Sequence, residues 1–411
     1  MATTTVKQRA DYTFKFNRGL GRHGWLRLTP AYSVKLVEEI LQNTTPGSHV
    51  VDPFSGTATT PLCAANHGLS AVGYELNPFL VWFGEAKTDI YNEDEVIRVK
   101  TTAENLVERI SKDDVTPCEP PPIHNIRRWW NPEELSFLCK LKSVIDEQYP
   151  HPSQIRTLLL VCFCRVVIKL SNAAFNHQSM SFKDKNTRQL ELIQHTPDFS
   201  SIFLKELKHV LSSVRQNPRV KARIIQGDSR DIKSLDQQSY DLLITSPPYP
   251  NRMSYIRELR PYMYWLGYLN DGRDAGELDW QAIGGTWGIA TSRLTDWQRS
   301  PEGFYPDYFV SLLSEIGQSD NKNGKLLSNY VAKYFEDMWR HLQSVYEIIK
   351  PGGSVHYIVG NSTFYNTLLP VERLYKDMLE TLGFTNVQIH TIRKRNSKKA
   401  LFEFDVTGIK K

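Results

Sequence analysis

The apolar run Asp241-Leu242-Leu243-Ile244-Thr245 ends abruptly in Ser246-Pro247-Pro248-Tyr249. Those last four residues carry a hydroxyl, backbone carbonyls stiffened by two prolines, and an aromatic face, but no acid and no strong nucleophile. Such a set suits a flat ring bearing an amine, with oxygens to accept the amine hydrogens and an aromatic face to stack on the ring. The competing reading is an ordinary proline-rich turn after a strand, and four residues alone do not decide between the two. Three acids stand in comparable places. Asp52 follows His49-Val50-Val51 and opens the small-residue stretch Pro53-Phe54-Ser55-Gly56-Thr57-Ala58-Thr59-Thr60. Glu75 closes Ser70-Ala71-Val72-Gly73-Tyr74, and Asp228 follows Ile224-Ile225-Gln226-Gly227. Small residues after a strand let a backbone approach a ligand and aim helix N–H groups at it. An acid at the end of the second strand commonly grips ribose hydroxyls. The Gly-x-Gly-x-x-Gly fingerprint of dinucleotide sites is missing. Asp52 suits a ligand with positive charge, an amino group or a sulfonium, and not a pyrophosphate.

The elements that must hold these residues read as α/β. The apolar runs before Asp52, Glu75, Asp228 and Ser246 are expected to be buried parallel strands with their carboxyl ends on one side. Helices are expected over Ala31–Leu41, from about Thr59 to His67 with Gly68 beyond its end, from Asn77-Pro78, and over about Leu327–Ile349 and 370–382. Lys350-Pro351-Gly352-Gly353 reads as a tight turn before a strand Ser354–Val359. The runs Val387–Ile392 and Phe402–Val406 read as an antiparallel pair. Two stretches interrupt the alternation. Residues 101–220 carry helical patterns over about 131–147, 153–170 and 198–215, plus a polar loop around His177 and Lys183. Residues 270–326 look irregular. The expected division is therefore 1–100, 101–220, 221–269, 270–326 and 327–411.

The 411 residues are 40% hydrophobic and 23% charged, ordinary for a soluble globular chain. No apolar run approaches the about 18 residues of a membrane span. The first residues lack the apolar core of a secretory signal, so a cytoplasmic protein is expected. Five cysteines without paired ligand spacing are read as reduced core residues, and no metal site is expected. The net charge of +5 is unevenly spread, with basic clusters in the first forty residues and at Arg393-Lys394-Arg395. Either cluster is consistent with solvated surface, and together they favour a polyanionic partner.

In this order, strand–Asp-Pro-Phe-x-Gly, strand–Glu, strand–Gly-Asp and strand–Thr-Ser-Pro-Pro-Tyr, the motifs resemble the S-adenosylmethionine-dependent amino-methyltransferases of DNA. The Ser-Pro-Pro-Tyr form is most similar to the branch acting on cytosine N4, whereas Asp-Pro-Pro-Tyr is the more usual adenine form. The resemblance covers about 22–100, 220–270 and 330–411 and leaves both interruptions uncovered. It implies a Rossmann-like methyltransferase sheet with helices on both faces, S-adenosylmethionine as cofactor, and double-stranded DNA as partner. It implies that Thr29 and Pro30 sit beside the cofactor, that Asp52, Pro53, Phe54, Ser55 and Gly56 surround its methionine part, that Glu75 binds its ribose, and that Asp228 lies near its adenine. Ser246, Pro247, Pro248 and Tyr249 become the catalytic loop. Ala58 departs from the pattern by replacing its second glycine. Because a stacked base cannot reach such a pocket, the target must be flipped out. His177, Lys183 and Arg252 are the expected DNA contacts. A cognate endonuclease sharing the same site, without a stable complex, fits a restriction-modification role.

The same residues leave rivals open. Adenine N6 methylation uses the same scaffold. A transfer-RNA guanine methyltransferase shares the Asp-Pro-Phe stretch, although no separate N-terminal RNA-binding domain is expected here. Cytosine C5 chemistry would need a thiolate, and the only Pro-Cys pair is Pro117-Cys118, in a proline-rich linker. Pro197-Asp198 and Glu206-Leu207-Lys208 mimic a metal-dependent nuclease motif, but within what reads as one amphipathic helix. A cofactor-free DNA-binding module is the remaining alternative.

Overall fold

The computed structural model describes residues 6–411 apart from 14, 27, 29–30, 175–180, 183–197, 252, 287, 320–322 and 396–399. Seven strands form the main sheet: β1 His49–Asp52, β2 Ser70–Glu75, β3 Arg223–Gln226, β4 Tyr240–Thr245, β5 Ile349–Gly360, β6 Phe384–Lys394 and β7 Phe402–Lys410. Their spatial order is β6-β7-β5-β4-β1-β2-β3. The ladder from β3 through β5 is parallel. β7 runs antiparallel to both of its neighbours. Val50, Val51, Leu243 and Ile244 are fully buried, as central strands covered on both faces require. The chain leaves β1 toward β2 and β3 on one side and returns through β4 toward β5 on the other. That reversal opens a crevice beyond the carboxyl ends of β1 and β4, the place where open α/β sheets bind ligands. This is the Rossmann-like methyltransferase topology.

Helices cover both faces: α1 Val34–Leu41, α2 Thr59–Asn66 and α3 Pro78–Thr88 early, and, after a long excursion, Gly324–Ile348 and Val371–Leu382. α3 starts where its sequence signals, with the Asn77 side chain accepting the Phe79 N–H and Pro78 in the first turn. Gly68, at φ +79°, lies just past the end of α2. α1 begins three residues later than its apolar pattern predicts. Its Val34 N–H is taken by Asn17 Oδ1 from the preceding segment, at 3.0 Å, so a tertiary contact sets this end. β5 is longer than expected and runs through Lys350–Gly353. Its pairing with β4 jumps from Tyr240–Ile349 to Leu242–Ser354, which absorbs the turn as an irregularity.

The excursion between β2 and β3 is helical: α4 Glu93–Ser111, α5 Pro132–Gln148, α6 Gln154–Lys169 and α7 Phe199–Val214. It shares one continuous apolar core with α3 and with α8, Tyr255–Trp265, the helix that follows β4. Trp129 and Trp130 are 2% and 0% exposed, in keeping with a packing role. Trp130 meets Trp265 of α8 edge-on at 5.7 Å and donates its indole N–H to the Val167 carbonyl at 2.9 Å. Trp130→Ala is expected to lower the unfolding free energy by about 3–5 kcal/mol, read as a shift in denaturant midpoint. The stretch expected to be irregular, 270–326, instead holds three helices, Gly272–Gln281, Ile289–Asp296 and Asp307–Gly317. Asp271 caps the first by accepting the Arg273 and Asp274 N–H groups, and Phe309, Leu313 and Ile316 of the third are fully buried. Their short, glycine-interrupted patterns are stabilised by packing, which a local reading does not register. No helix among the described residues is long and apolar enough to cross a membrane.

Candidate functional site

Asp52 ends β1 and is 0% exposed. Its Oδ1 accepts the Thr245 hydroxyl at 2.6 Å and the Phe54 N–H at 3.1 Å, and its Oδ2 accepts the Tyr32 hydroxyl at 3.3 Å. Burial pushes the carboxyl up to about 6 against the pull of those donors. Asp52 is thus turned inward and is not among the residues that line the cavity beyond the strand ends, where its sequence position suggests contact with a ligand. It ties the loop after β1 to Thr245, the residue before Ser246, and so sets two loops at once. Pro53, Phe54, Ser55, Gly56 and Thr57 line a cavity of about 670 Å³ beyond the strand ends. Phe54 packs on the His341 ring with centroids 4.7 Å apart. Ala58 sits at φ 54°, ψ 43°, the left-handed conformation a glycine adopts freely. The departure from the family pattern thus keeps the glycine-like backbone, at a cost of about 1–2 kcal/mol. Lys87, fully buried beneath, donates to the Thr57 carbonyl.

Glu75, at the end of β2, lines the same cavity. Its Oε2 accepts the Gly56 N–H at 2.8 Å and its Oε1 the Asn77 N–H at 2.9 Å. Burial pushes its carboxyl up to about 7, although both N–H groups favour the ionised form. Asp228, two residues past β3, also lines the cavity. Burial works to raise its carboxyl, but the Arg230 guanidinium at 2.5 Å prevails and holds it below the ordinary range. Arg230 in turn reaches Asp337 at 2.8 Å, which anchors the Asp228 loop to the long helix Gly324–Ile348.

The loop after β4 opens on the other side of this cavity. Ser246 donates its hydroxyl hydrogen to the Ile358 carbonyl at 3.2 Å, and Tyr334 donates to the Pro248 carbonyl at 2.8 Å. Tyr249 is half-buried and donates its hydroxyl to Glu403 Oε1 at 2.8 Å. The Arg395 guanidinium lies 4.8 Å from its ring centroid. Thus the structure brings Phe54 to Gly56, Glu75, Asp228 and Ser246 to Tyr249 around one space, and places Asp52 behind it. Thr29, Pro30, His177, Lys183 and Arg252 lie outside the described residues.

Sequence reasoning did not find Arg393 and Glu403 of the C-terminal strand pair, Arg395 and Leu401 of its connection, nor Tyr12 and Lys15, all of which line the cavity. The basic cluster Arg393-Lys394-Arg395 was visible, but only the pairing of β6 with β7, and of β7 with β5, carries it to Tyr249. A larger space of about 1010 Å³ lies at the opposite, amino-terminal edge of the strands, lined by residues such as Ser48, Asp241 and Gly353. We place the site at the carboxyl ends, because only there do the strand-end acids and the proline loop converge. The nuclease-like acids are otherwise occupied: Asp198 caps α7 through the Ser201 N–H, and Glu206 pairs with Arg165 at 2.6 Å.

No protein-family model matches the chain. It is 22% identical to the type II methyltransferase M.BsoBI of Geobacillus stearothermophilus, over 99% of this chain and 88% of that one. It is 21% identical to the type II methyltransferase M.MvaI of Kocuria varians, over 80% of this chain and 73% of that one. It is 20% identical to the type II methyltransferase M.AvaI of Nostoc sp., over 90% and 81%. Among solved structures, TrmN from Thermus thermophilus aligns over 98% of this chain and 53% of its own at 10% identity. The TM-score is 0.30.

Proposed function

We propose that the chain is a DNA methyltransferase of a restriction-modification system, which moves a methyl group from S-adenosylmethionine to the N4 amine of a cytosine flipped out of duplex DNA. The observation that carries this reading is the convergence of the Phe54–Thr57 loop, Glu75 and Ser246–Tyr249 on one cavity. Its relatives named as type II methyltransferases support it, as does a cavity size within the usual range of about 300–1,000 Å³ for small-ligand sites. The cofactor supplies an electrophilic methyl group on a sulfonium. The backbone of Phe54 to Thr57 would hold its methionine end, Glu75 its ribose, and Asp228 with Ser229 its adenine.

The acceptor side follows from the hydrogen-bond directions. An exocyclic cytosine amine is a poor nucleophile because its lone pair is delocalised into the ring. Ser246 gives its own hydrogen to Ile358, so its oxygen lone pairs face outward as acceptors. With the Pro247 carbonyl, they take the amine hydrogens and turn the nitrogen lone pair toward the methyl group. Tyr249 stacks on the base. Transfer would be direct and in line: the N–C bond forms as the sulfonium S–C bond breaks, the thioether S-adenosylhomocysteine leaves, and the surplus amine proton passes to solvent, with positioning supplying much of the acceleration. Ser246 in place of an aspartate is what favours cytosine over adenine. Target recognition is proposed for the stretch 101–220, the stretch 270–326, or both, with His177 and Lys183 of the first and Arg252 of the loop after β4 as DNA contacts.

Sequencing of DNA from cells expressing the protein, with a readout of base and modified atom, tests the whole reading. N4-methylcytosine at one short motif is expected. N6-methyladenine would transfer the proposal to the adenine branch, and inert duplex DNA with turnover on transfer RNA would overturn it. Glu75 adds a pH dependence. With its carboxyl at about 7, only the ionised form accepts ribose hydroxyls fully. Cofactor affinity, measured by calorimetry, is expected to rise between about pH 6 and 8, and the rise should vanish in Glu75→Gln. The sign for the ligand-free fold is opposite: a raised carboxyl contributes stability at low pH that is lost as pH climbs through about 7.

A further inference from the structure

The C-terminal strand pair reaches the acceptor loop at one transverse row of the sheet. Arg393 of β6 lies opposite Glu403 of β7, and Glu403 lies opposite Gly360 of β5. Glu403 is 6% exposed. One carboxylate oxygen accepts Arg393 Nε at 2.7 Å; the other accepts Arg393 Nη2 at 3.1 Å and the Tyr249 hydroxyl at 2.8 Å. This fork fixes the carboxylate in the plane of the guanidinium, so its remaining acceptor direction is aimed rather than free. Gly360 completes the row by absence. A Cβ there would collide with the Arg395 guanidinium and lie 3.0 Å from Tyr249 Cε2. Arg395 donates to the Asn361 carbonyl at 2.9 Å and covers one face of the Tyr249 ring. The ring is therefore held at its hydroxyl and backed by Arg395 on one face.

We infer that Glu403 is the positioning residue for Tyr249: clamped by Arg393, it anchors the tyrosine hydroxyl so that the ring stands ready for the acceptor base. The inference rests on the acceptor role proposed for Tyr249. Its logic is energetic. A tyrosine free to rotate about its side-chain torsions must be ordered when a base arrives, whereas an anchored one is ordered beforehand, and small misplacements at a reacting centre are costly in rate. Burial and the nearby Glu403 carboxylate also push the Tyr249 hydroxyl well above the ordinary phenol range, so it remains a donor.

The test measures incorporation of labelled methyl from S-adenosylmethionine into unmethylated plasmid DNA, with thermal melting and cofactor calorimetry alongside. Glu403→Ala is expected to lower kcat about tenfold or more with cofactor affinity unchanged. Glu403→Gln keeps an acceptor oxygen for the Tyr249 hydroxyl but loses one limb of the Arg393 fork, so it should fall between Glu403→Ala and the wild type, a partial rescue no bulk-packing role predicts. Tyr249→Phe keeps the ring and loses the anchor, so it should fall about as far as Glu403→Ala. In that background Glu403→Ala should add less than about twofold, because both changes remove one interaction. Multiplying effects, or full activity of a folded Glu403→Ala, would overturn the inference while leaving Tyr249 as the acceptor aromatic. An active Tyr249→Ala would instead overturn that role and this inference with it.

Discussion

Tyr249→Ala is expected to reduce methyl transfer on the order of a hundredfold or more while leaving cofactor affinity within about twofold. The reason lies in the division of the cavity. Tyr249 sits on the side of the β4 loop, held by Glu403 at its hydroxyl and by Arg395 over its ring. The side proposed for the cofactor is built separately, from the Asp52-anchored loop, Glu75 and the Asp228–Arg230 pair. On the proposed reading, removing the ring takes away the stacking surface for the base, an interaction worth about 1–3 kcal/mol per base in single-strand binders, and also its alignment with the methyl group. Radiolabel transfer and calorimetry on the same preparation separate the two effects. A variant that turns over at the wild-type rate, or one that loses cofactor binding as steeply as activity, would sink the assignment. Tyr249→Phe should fall between, since it keeps stacking and loses the anchor.

The second large effect is expected at Asp52, for a structural reason. Asp52→Ala leaves the Thr245 hydroxyl and the Phe54 N–H without their acceptor in a fully buried place, while the Tyr32 hydroxyl keeps the Thr60 hydroxyl as a partner. Stranded buried donors cost about 1–3 kcal/mol each when nothing replaces the partner, and partial relaxation leaves a loss on the order of 3 kcal/mol. Because the same carboxylate ties the β1 loop to the end of β4, cofactor affinity should drop at least about tenfold as well. Asp52→Asn keeps an acceptor oxygen and is expected to stay within about 1 kcal/mol in denaturant unfolding. The pH sign sharpens the comparison. The carboxyl is pushed up to about 6, above its unfolded value, so its contribution is complete at low pH and declines as pH rises through about 6. Asp52→Asn should therefore gain on the wild type across that interval. An Asp52→Ala protein of unchanged stability and affinity would show that the buried network does not organise the site.

What could be read locally and what could not divide along a physical line. The strand ends at Asp52, Glu75, Asp228 and Thr245 are each marked by an apolar run that stops at a polar residue, and the sheet places all four on one edge. Backbone chemistry marks the rest of that frame: prolines at 247 and 248, the Asn77-Pro78 helix start, and Gly68 beyond α2. These are short-range rules, set by φ, missing donors and burial period, so the chain by itself determined the α/β core and the membership of most of the cavity wall. Direction and partnership were different. Whether Asp52 faces a ligand or Thr245 depends on β4 lying beside β1, contacts 193 residues apart. Arg393, Arg395 and Glu403 join Tyr249 only because β7 inserts antiparallel between β5 and β6 and brings residues 154 apart into hydrogen-bond reach. The helices in 270–326 stand on packing rather than on their own periodicity. Tertiary structure alone decided which acid lines the cavity, which holds a loop, and which bonds the tyrosine hydroxyl, because each choice is made by neighbours that sequence distance conceals.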